Sequence, residues 1–260
     1  MELLFSIIPF LIGFLAGITG AIFGIGGAVL SIPLFRTLLG MEGHAAIATA
    51  LPLVFPTAIS AGHSYLKQNL LKKKTILLCA LAGSIFSIFG AFLTGFFDGG
   101  FLMIGVGVIL LAIAFMLHRD AKVPLKEECI SMNEKAIRTS AIGAVCGFAS
   151  GFFGIGGGSI LVPLLLKIRA IPIKKAIPCS LAIIAIYAIP GSITHYLLGN
   201  LKLEIFLPAA LGALIGAQIG ARINVGMEEE RMRKLFALLL ILLGVLLIGN
   251  ELTYFFFTPT

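Results

Sequence analysis

Charge is scarce in this chain. Charged side chains make up 12% of the 260 residues, where a soluble domain keeps roughly 25%. Cysteine is also sparse and poorly placed for chemistry. Cys79, Cys146 and Cys179 fall in apolar segments, Cys129 falls in a polar linker, and no CxxC spacing occurs. That excludes a disulfide framework or a thiolate metal site. No HExxH or GxSxG is present, and no GK[S/T] follows any glycine-rich run. Hydrolytic, redox and nucleotide-loop chemistry therefore find no support. The reading is of a protein that is not an enzyme and needs no cofactor.

Apolar sequence fills the space that charge leaves. The chain is 59% hydrophobic with mean hydropathy +1.09. Runs near or above the ~20 residues that cross a bilayer recur along it. This is the pattern of an all-α, multi-pass protein of the cytoplasmic membrane. The start, MELLFSIIPF, has Glu2 and no basic residue, so the first segment is read as a retained span rather than a secretory leader. The net charge of +7 sits in short clusters: Lys67 with Lys72–Lys74, Arg119 with Lys122 and Lys126, Lys167 with Arg169, Lys174 and Lys175, and Arg231 with Arg233 and Lys234. Short basic loops mark the cytoplasmic face of a membrane protein and argue against nucleic acid as a partner.

An internal repeat organises the rest. GFLAGITGAIFGIGGAVLSIPLF, from Gly13, matches GAVCGFASGFFGIGGGSILVPLL, from Gly143, at one constant offset that carries Gly17 onto Gly147 and Pro33 onto Pro163. The chain divides into a first membrane repeat over 1–120, a linker over 121–135 and a second repeat over 136–260. The first apolar run of each half is too long for one crossing and carries FGIGG, at Phe23–Gly27 and Phe153–Gly157. Each glycine costs a helix interior about 1 kcal/mol, so both runs should break there. Suppose each broken run is a hairpin followed by three plain spans, for about eight to ten membrane segments in all. The second half is then inverted relative to the first, and with the N-terminus outside every basic cluster falls inside. Eight plain crossings would put 67–74 and 167–175 on opposite faces.

Inverted repeats with broken helices are a construction of secondary transporters, whose substrates bind near the midplane at the breaks. A helix restarting near Gly27 or Gly157 aims free N–H groups and the positive end of its dipole at the break. The expected substrate is therefore a small anion held by backbone around Gly24, Gly26, Gly27 and Ala28, and around Gly154, Gly156, Gly157, Gly158 and Ser159. The glycines of Gly13-x-x-x-Gly17, Gly143-x-x-x-Gly147 and Gly147-x-x-x-Gly151 read instead as helix-packing positions. Glu2, Glu42, Asp98, Glu204, Glu228–Glu230 and Glu251 are read at segment ends or in loops. No carboxylate relay at membrane depth is expected, and no lysine or arginine there to neutralise an anion. His63 and His195 remain as titratable groups, with an interfacial bond to backbone as the simpler role. Pro52, Pro56, Pro178 and Pro190 should bend their helices. A non-transporting scaffold is the competing reading, but it has no use for two costly breaks at matching positions.

The duplicated G-x-x-x-(G/A)-x-x-GIGG-x(5)-P segment resembles the TauE/SafE family of sulfite-exporter-like membrane proteins. The resemblance implies transport of small sulfur-containing anions such as sulfite, thiosulfate or organosulfonates. The family carries a Thr-Ser-Leu-like patch after the hairpin. The matching positions here are Thr49-Ala50-Leu51 and Cys179-Ser180-Leu181, so each half keeps one hydroxyl of that pair. Thr49, Cys179 and Ser180 are accordingly expected to line the substrate cavity. A homodimer is compatible with this construction.

Overall fold

The computed structural model describes residues 2–65, 73–119, 132–169 and 172–257, and all regular structure among them is helical. The first half runs α1 (Glu2–Phe23), α2 (Ala28–Leu38), α3 (Gly43–Ala50), a 3-10 turn over Leu51–Leu53, α4 (Val54–Tyr65), α5 (Lys73–Thr94) and α6 (Gly99–Arg119). The second runs α7 (Met132–Phe153), α8 (Gly158–Arg169), α9 (Ile173–Leu197), α10 (Leu203–Gly226) and α11 (Glu229–Phe257). Among the described residues, eight stretches are long and apolar enough to span: α1, α3 with α4, α5, α6, α7, α9, α10 and α11. At 11 and 12 residues, α2 and α8 are too short to cross a bilayer. Both long runs break at FGIGG, as their glycines predict. Cys129, Lys67, Lys72 and most of the linker lie outside the described residues, as does the His63 side chain.

Two seams of small residues hold the spans together. On α1 and α10, a methyl group at Gly13 would strike the Ala209 carbonyl and one at Gly17 the Ala213 carbonyl. From the other side, Gly212, Gly216 and Gly220 abut Phe10, Phe14 and Ile18. Residue numbers rise together, so the helices are parallel. On α7 and α5, Gly143, Gly147 and Gly151 abut Cys79, Gly83 and Ser87 in the same parallel sense. Lipid tails are as apolar as leucine, so such helices associate by close backbone approach rather than by hydrophobic burial. The outward faces of α5 and α10 carry exposed stripes spaced for a helix: Leu77, Leu81 and Ile85, and Leu207, Leu211 and Ile215. In a membrane these stripes meet acyl chains.

Longer-range contacts fix the direction of the hairpins. Thr49 contacts Lys202 and Ser60 contacts Leu214, so α3–α4 runs parallel to α10. Gly83 packs on Tyr187 and Gly191 on Ser87, so α5 runs parallel to α9. Both α1 and α3–α4 therefore point the same way as α10, and α2 carries the chain back between them.

The four prolines expected to bend their helices lie in differently built stretches: a 3-10 turn in the first half and one long helix in the second. Pro52 and Pro56 stand one helical turn apart and remove donors from successive turns, which gives the 3-10 turn. Pro178 and Pro190 are spread over several turns, and α9 absorbs both without a break. Glu251 is not a free carboxylate at a segment end. It lies within α11, only 4% exposed, and pairs with Arg36 of α2: Nε to Oε1 is 2.5 Å and the second nitrogen reaches Oε2 at 3.1 Å. Arg36 also donates to the Met41 carbonyl at 2.9 Å and lies over the Tyr254 ring.

Candidate functional site: two glycine tips

Each break is built from three left-handed glycines. Gly24, Gly26 and Gly27 have φ of 74°, 75° and 86°, and Gly154, Gly156 and Gly157 have 67°, 68° and 66°. Residues with a Cβ pay about 1–2 kcal/mol for this backbone, which explains why the chain uses glycine here. At the first tip, Gly24 closes α1 and the Ile25 N–H returns to the Gly20 carbonyl at 3.0 Å, the 6→1 bond of a Schellman turn. Ile25 and Ile155 anchor the tips and are fully buried.

The tips pack across the halves. Gly24 rests against the Ile177 backbone of α9, and Gly154 against Ile47 of α3. Ile47 and Ile177 are themselves equivalent positions in the repeat, so the two contacts are reciprocal. The tips also touch one another. A methyl group on Gly158 would come 2.5 Å from the Gly24 carbonyl oxygen, and one on Gly156 would sit 3.3 Å from the Ile25 carbonyl oxygen and 3.6 Å from the Ala28 Cβ. The starts of α2 and α8 thus lie side by side in the interior, where Ala28 and Ser159 are fully buried.

Side chains decide which backbone groups remain available. The last carbonyls of a helix have no partner within it. Here donors from other elements take them, again in matching pairs. Tyr65 donates to the Ala21 carbonyl and His195 Nε2 to that of Gly151, both at 2.9 Å. Asn224 donates to the Ile22 carbonyl at 2.6 Å and Thr94 to that of Phe152 at 3.2 Å. On the tips themselves, Ser180 donates to the Gly24 carbonyl at 2.8 Å and Tyr187 to the Gly156 carbonyl at 3.1 Å. One carbonyl oxygen on each tip, that of Gly24 and that of Gly156, is therefore occupied. The first two N–H groups of α2 and of α8 have no preceding carbonyl to pair with, while the third of each returns to Gly27 or Gly157. Successive N–H groups in such a turn form a concavity suited to an anion.

Most of the expected site residues come together. Gly24, Gly26, Gly27 and Ala28 meet Gly154, Gly156, Gly157, Gly158 and Ser159, with Ser180 bonded to the first tip. Thr49 lies two residues beyond Ile47 on α3, and its hydroxyl accepts from the Lys202 N–H at 3.1 Å. Cys179 is buried beside Ser180 in α9. Sequence reasoning missed Tyr65, Thr94, Tyr187 and Asn224. The register of the repeat was a usable signal for three of them, because it carries Tyr65 onto His195 and Thr94 onto Asn224.

The profile described as sulfite exporter TauE/SafE matches residues 9–247. The chain belongs to the TauE/SafE family. Two relatives are similar over nearly their whole length. A probable membrane transporter protein of Bacillus subtilis, YunE, is 27% identical over 93% of this chain and 97% of its own. A probable membrane transporter protein of Methanocaldococcus jannaschii, MJ0441, is 27% identical over 92% and 93%. A probable membrane transporter protein of Haemophilus influenzae reaches 30% identity over 63% of this chain and 62% of its own. This TauE/SafE protein is thus a multi-pass protein of a membrane transporter family.

The bond between Ser180 and Gly24 makes a prediction. Ser180→Ala leaves the Gly24 carbonyl buried without its donor, at a cost of about 1–3 kcal/mol. The expected result is a lower melting temperature and several-fold weaker flux. A variant with wild-type stability and flux would show that the bond is dispensable.

Proposed function

We propose that this protein is a secondary transporter of small sulfur-containing anions, such as sulfite, thiosulfate or an organosulfonate, and that the two glycine tips hold the substrate by backbone N–H groups. The observation that carries this reading is the one-sided pairing at the tips. A carbonyl on each is tied up by a side chain from elsewhere, while the starts of two helices lie together in an interior that, among the described residues, has no lysine beside them. Each helix start is equivalent to about half a positive charge. Two of them supply much of what one small anion needs.

The same reading divides the chain into repeats 1–120 and 136–260 in opposite orientation. It is supported by reciprocal packing, α1 on α10 and α7 on α5, and by the short Leu198–Lys202 connection between α9 and α10. Spans joined by so short a loop run antiparallel. Since α9 follows α5 and α7 while α10 follows α1, α1 and α7 point opposite ways. Thr49 and Cys179 complete the proposed cavity wall.

Flux of radiolabelled sulfite, thiosulfate and a short organosulfonate into proteoliposomes tests the function. Saturable uptake of at least one, well above that of protein-free vesicles, is the expected result. Background uptake of all three would overturn it.

A further inference from the structure

Around the end of α7 lie polar groups that the glycine tips do not use. The hydroxyls of Ser87 on α5, Ser150 on α7 and Ser192 on α9, together with Nδ1 of His195 on α9, are buried and have no hydrogen-bond partner among the described residues. Ser87 and His195 are both tied to the same stretch of α7 around Gly151. The Ser87 hydroxyl rests against Gly191, next to Ser192, and the Ser87 backbone abuts Gly151, next to Ser150. His195 follows Gly191 by one helical turn and bonds the Gly151 carbonyl. Gly151 is just ahead of Gly154, the first left-handed glycine of the second tip.

The cluster occurs in only one half. In the register of the repeat, Ser87, Ser150, Ser192 and His195 correspond to Ala217, Gly20, Gly62 and Tyr65. Tyr65 makes the bond equivalent to that of His195, to Ala21, and leaves no second ring nitrogen. Buried polar atoms are normally paired, and an unpaired ring nitrogen packed on the same stretch of α7 as an unpaired hydroxyl calls for a ligand or water. Here they are confined to one of two otherwise matching sites.

The chemistry of the imidazole narrows the ligand. A carbonyl only accepts, so the Nε2–H must donate to Gly151, and neutral His195 carries a bare lone pair at Nδ1. A proton taken from water on one side of the membrane forms an N–H bond there. It gives the ring one positive charge and lets Nδ1 donate. A lone buried cation is costly, and an anion lodged one turn away offsets that cost. Release of the proton on the other side restores the neutral ring when the anion leaves.

We propose that His195, packed with Ser87 on the Gly151 stretch of α7, is the proton site that couples the anion's movement to that of a proton. This rests on the anion-transport reading above. Few other groups bear on it. The charged residues of the helices packed on α9, and of α9 itself, lie toward the opposite ends: Lys73 and Lys74, Glu134, Lys135 and Arg138, Lys167 and Arg169, and Lys174 and Lys175. Glu2 is at the start of α1. Glu42, Asp98, Lys202 and Glu204, at helix starts and loops, are exposed to solvent. Cys79, Cys146, Tyr65 and Tyr187 are neutral at physiological pH, and His63 is on α4 toward its far end. His44 on α3, whose Nε2 faces the Thr94 and Phe97 carbonyls, is the remaining titratable group.

Thiosulfate is the suitable probe because it carries no proton near neutral pH, so any coupled proton belongs to the protein. Proteoliposomes are clamped at zero membrane potential, and the steady accumulation ratio is read against an imposed pH gradient. One coupled proton multiplies that ratio about tenfold per pH unit. The wild type should show this response. His195→Tyr, which copies Tyr65 and keeps a donor for Gly151, and His195→Gln should each give a ratio near one. His44→Gln should respond as the wild type does. A tenfold response in folded His195→Tyr, or a wild type indifferent to the gradient while still moving thiosulfate, overturns the proton site alone. Absence of thiosulfate flux in the wild type overturns it too. Only absence of sulfite and organosulfonate flux as well would remove the transport reading.

Discussion

Gly26→Ala and Gly156→Ala are expected to purify as folded protein and to lose at least tenfold in anion flux. At both positions φ is strongly positive, 75° and 68°, so alanine adds about 1–2 kcal/mol of backbone strain. The atoms a methyl group would meet most closely are side-chain methyls: Ile184 Cδ1 and Val54 Cγ2 at 2.9 Å for Gly26, and Val54 Cγ2 at 3.0 Å for Gly156. Side chains can turn aside, so the fold survives. The tip, however, relaxes toward another backbone conformation and its N–H groups turn with it. Gly158→Ala provides the contrast. Its methyl group would fall 2.5 Å from the Gly24 oxygen and 2.7 Å from the Ile25 Cα. Those are main-chain atoms of the opposite tip and cannot yield, so this variant should lose folded protein as well as flux. Flux per folded molecule separates the two cases. Wild-type rates in both Gly26→Ala and Gly156→Ala would mean that the tips are packing elements and not the anion site.

Breaking the Arg36–Glu251 pair should give the largest loss of stability available from a single side chain. Arg36→Met strands a carboxylate that is 4% exposed, and Glu251→Leu strands a guanidinium that is 14% exposed. Removing one partner of a buried pair costs about 3–5 kcal/mol, while replacing both by apolar groups is often neutral. The double variant should therefore recover most of the loss, short of about 1 kcal/mol for the bond from Arg36 to the Met41 carbonyl. Thermal unfolding in detergent reads all three. The pair ties the return arm α2 to α11, so the single variants should also loosen the first tip. Single variants that melt with the wild type, or a double variant no better than the singles, would show that the pair does not hold α2 in place.

The parts legible in the sequence are those with local causes. The spans follow from apolar length, the two breaks from glycines that no helix tolerates in such number, and the duplication from one constant offset. Parity with the basic clusters called for a hairpin. Glu251 was misread because it lies near the end of a long apolar run, where a carboxylate can reach water. Arg36 held the missing clue: a lone basic residue in an apolar arm calls for a partner, and that partner is 215 residues away.

By itself, then, the sequence determined the membrane class, the family-bearing glycine motif and where the chain must break. Those are properties of hydration and backbone strain, which each short segment carries with it. Only the tertiary structure decided which backbone groups at the breaks are free. The donors that occupy the tip carbonyls come from helices 31 to 156 residues distant. It also decided that the Ser87 hydroxyl of α5 and the His195 ring of α9 are buried against the same stretch of α7, each with an unpaired atom. A hydrogen bond depends on distance in space, and at such separations along the chain only the packed helices set it.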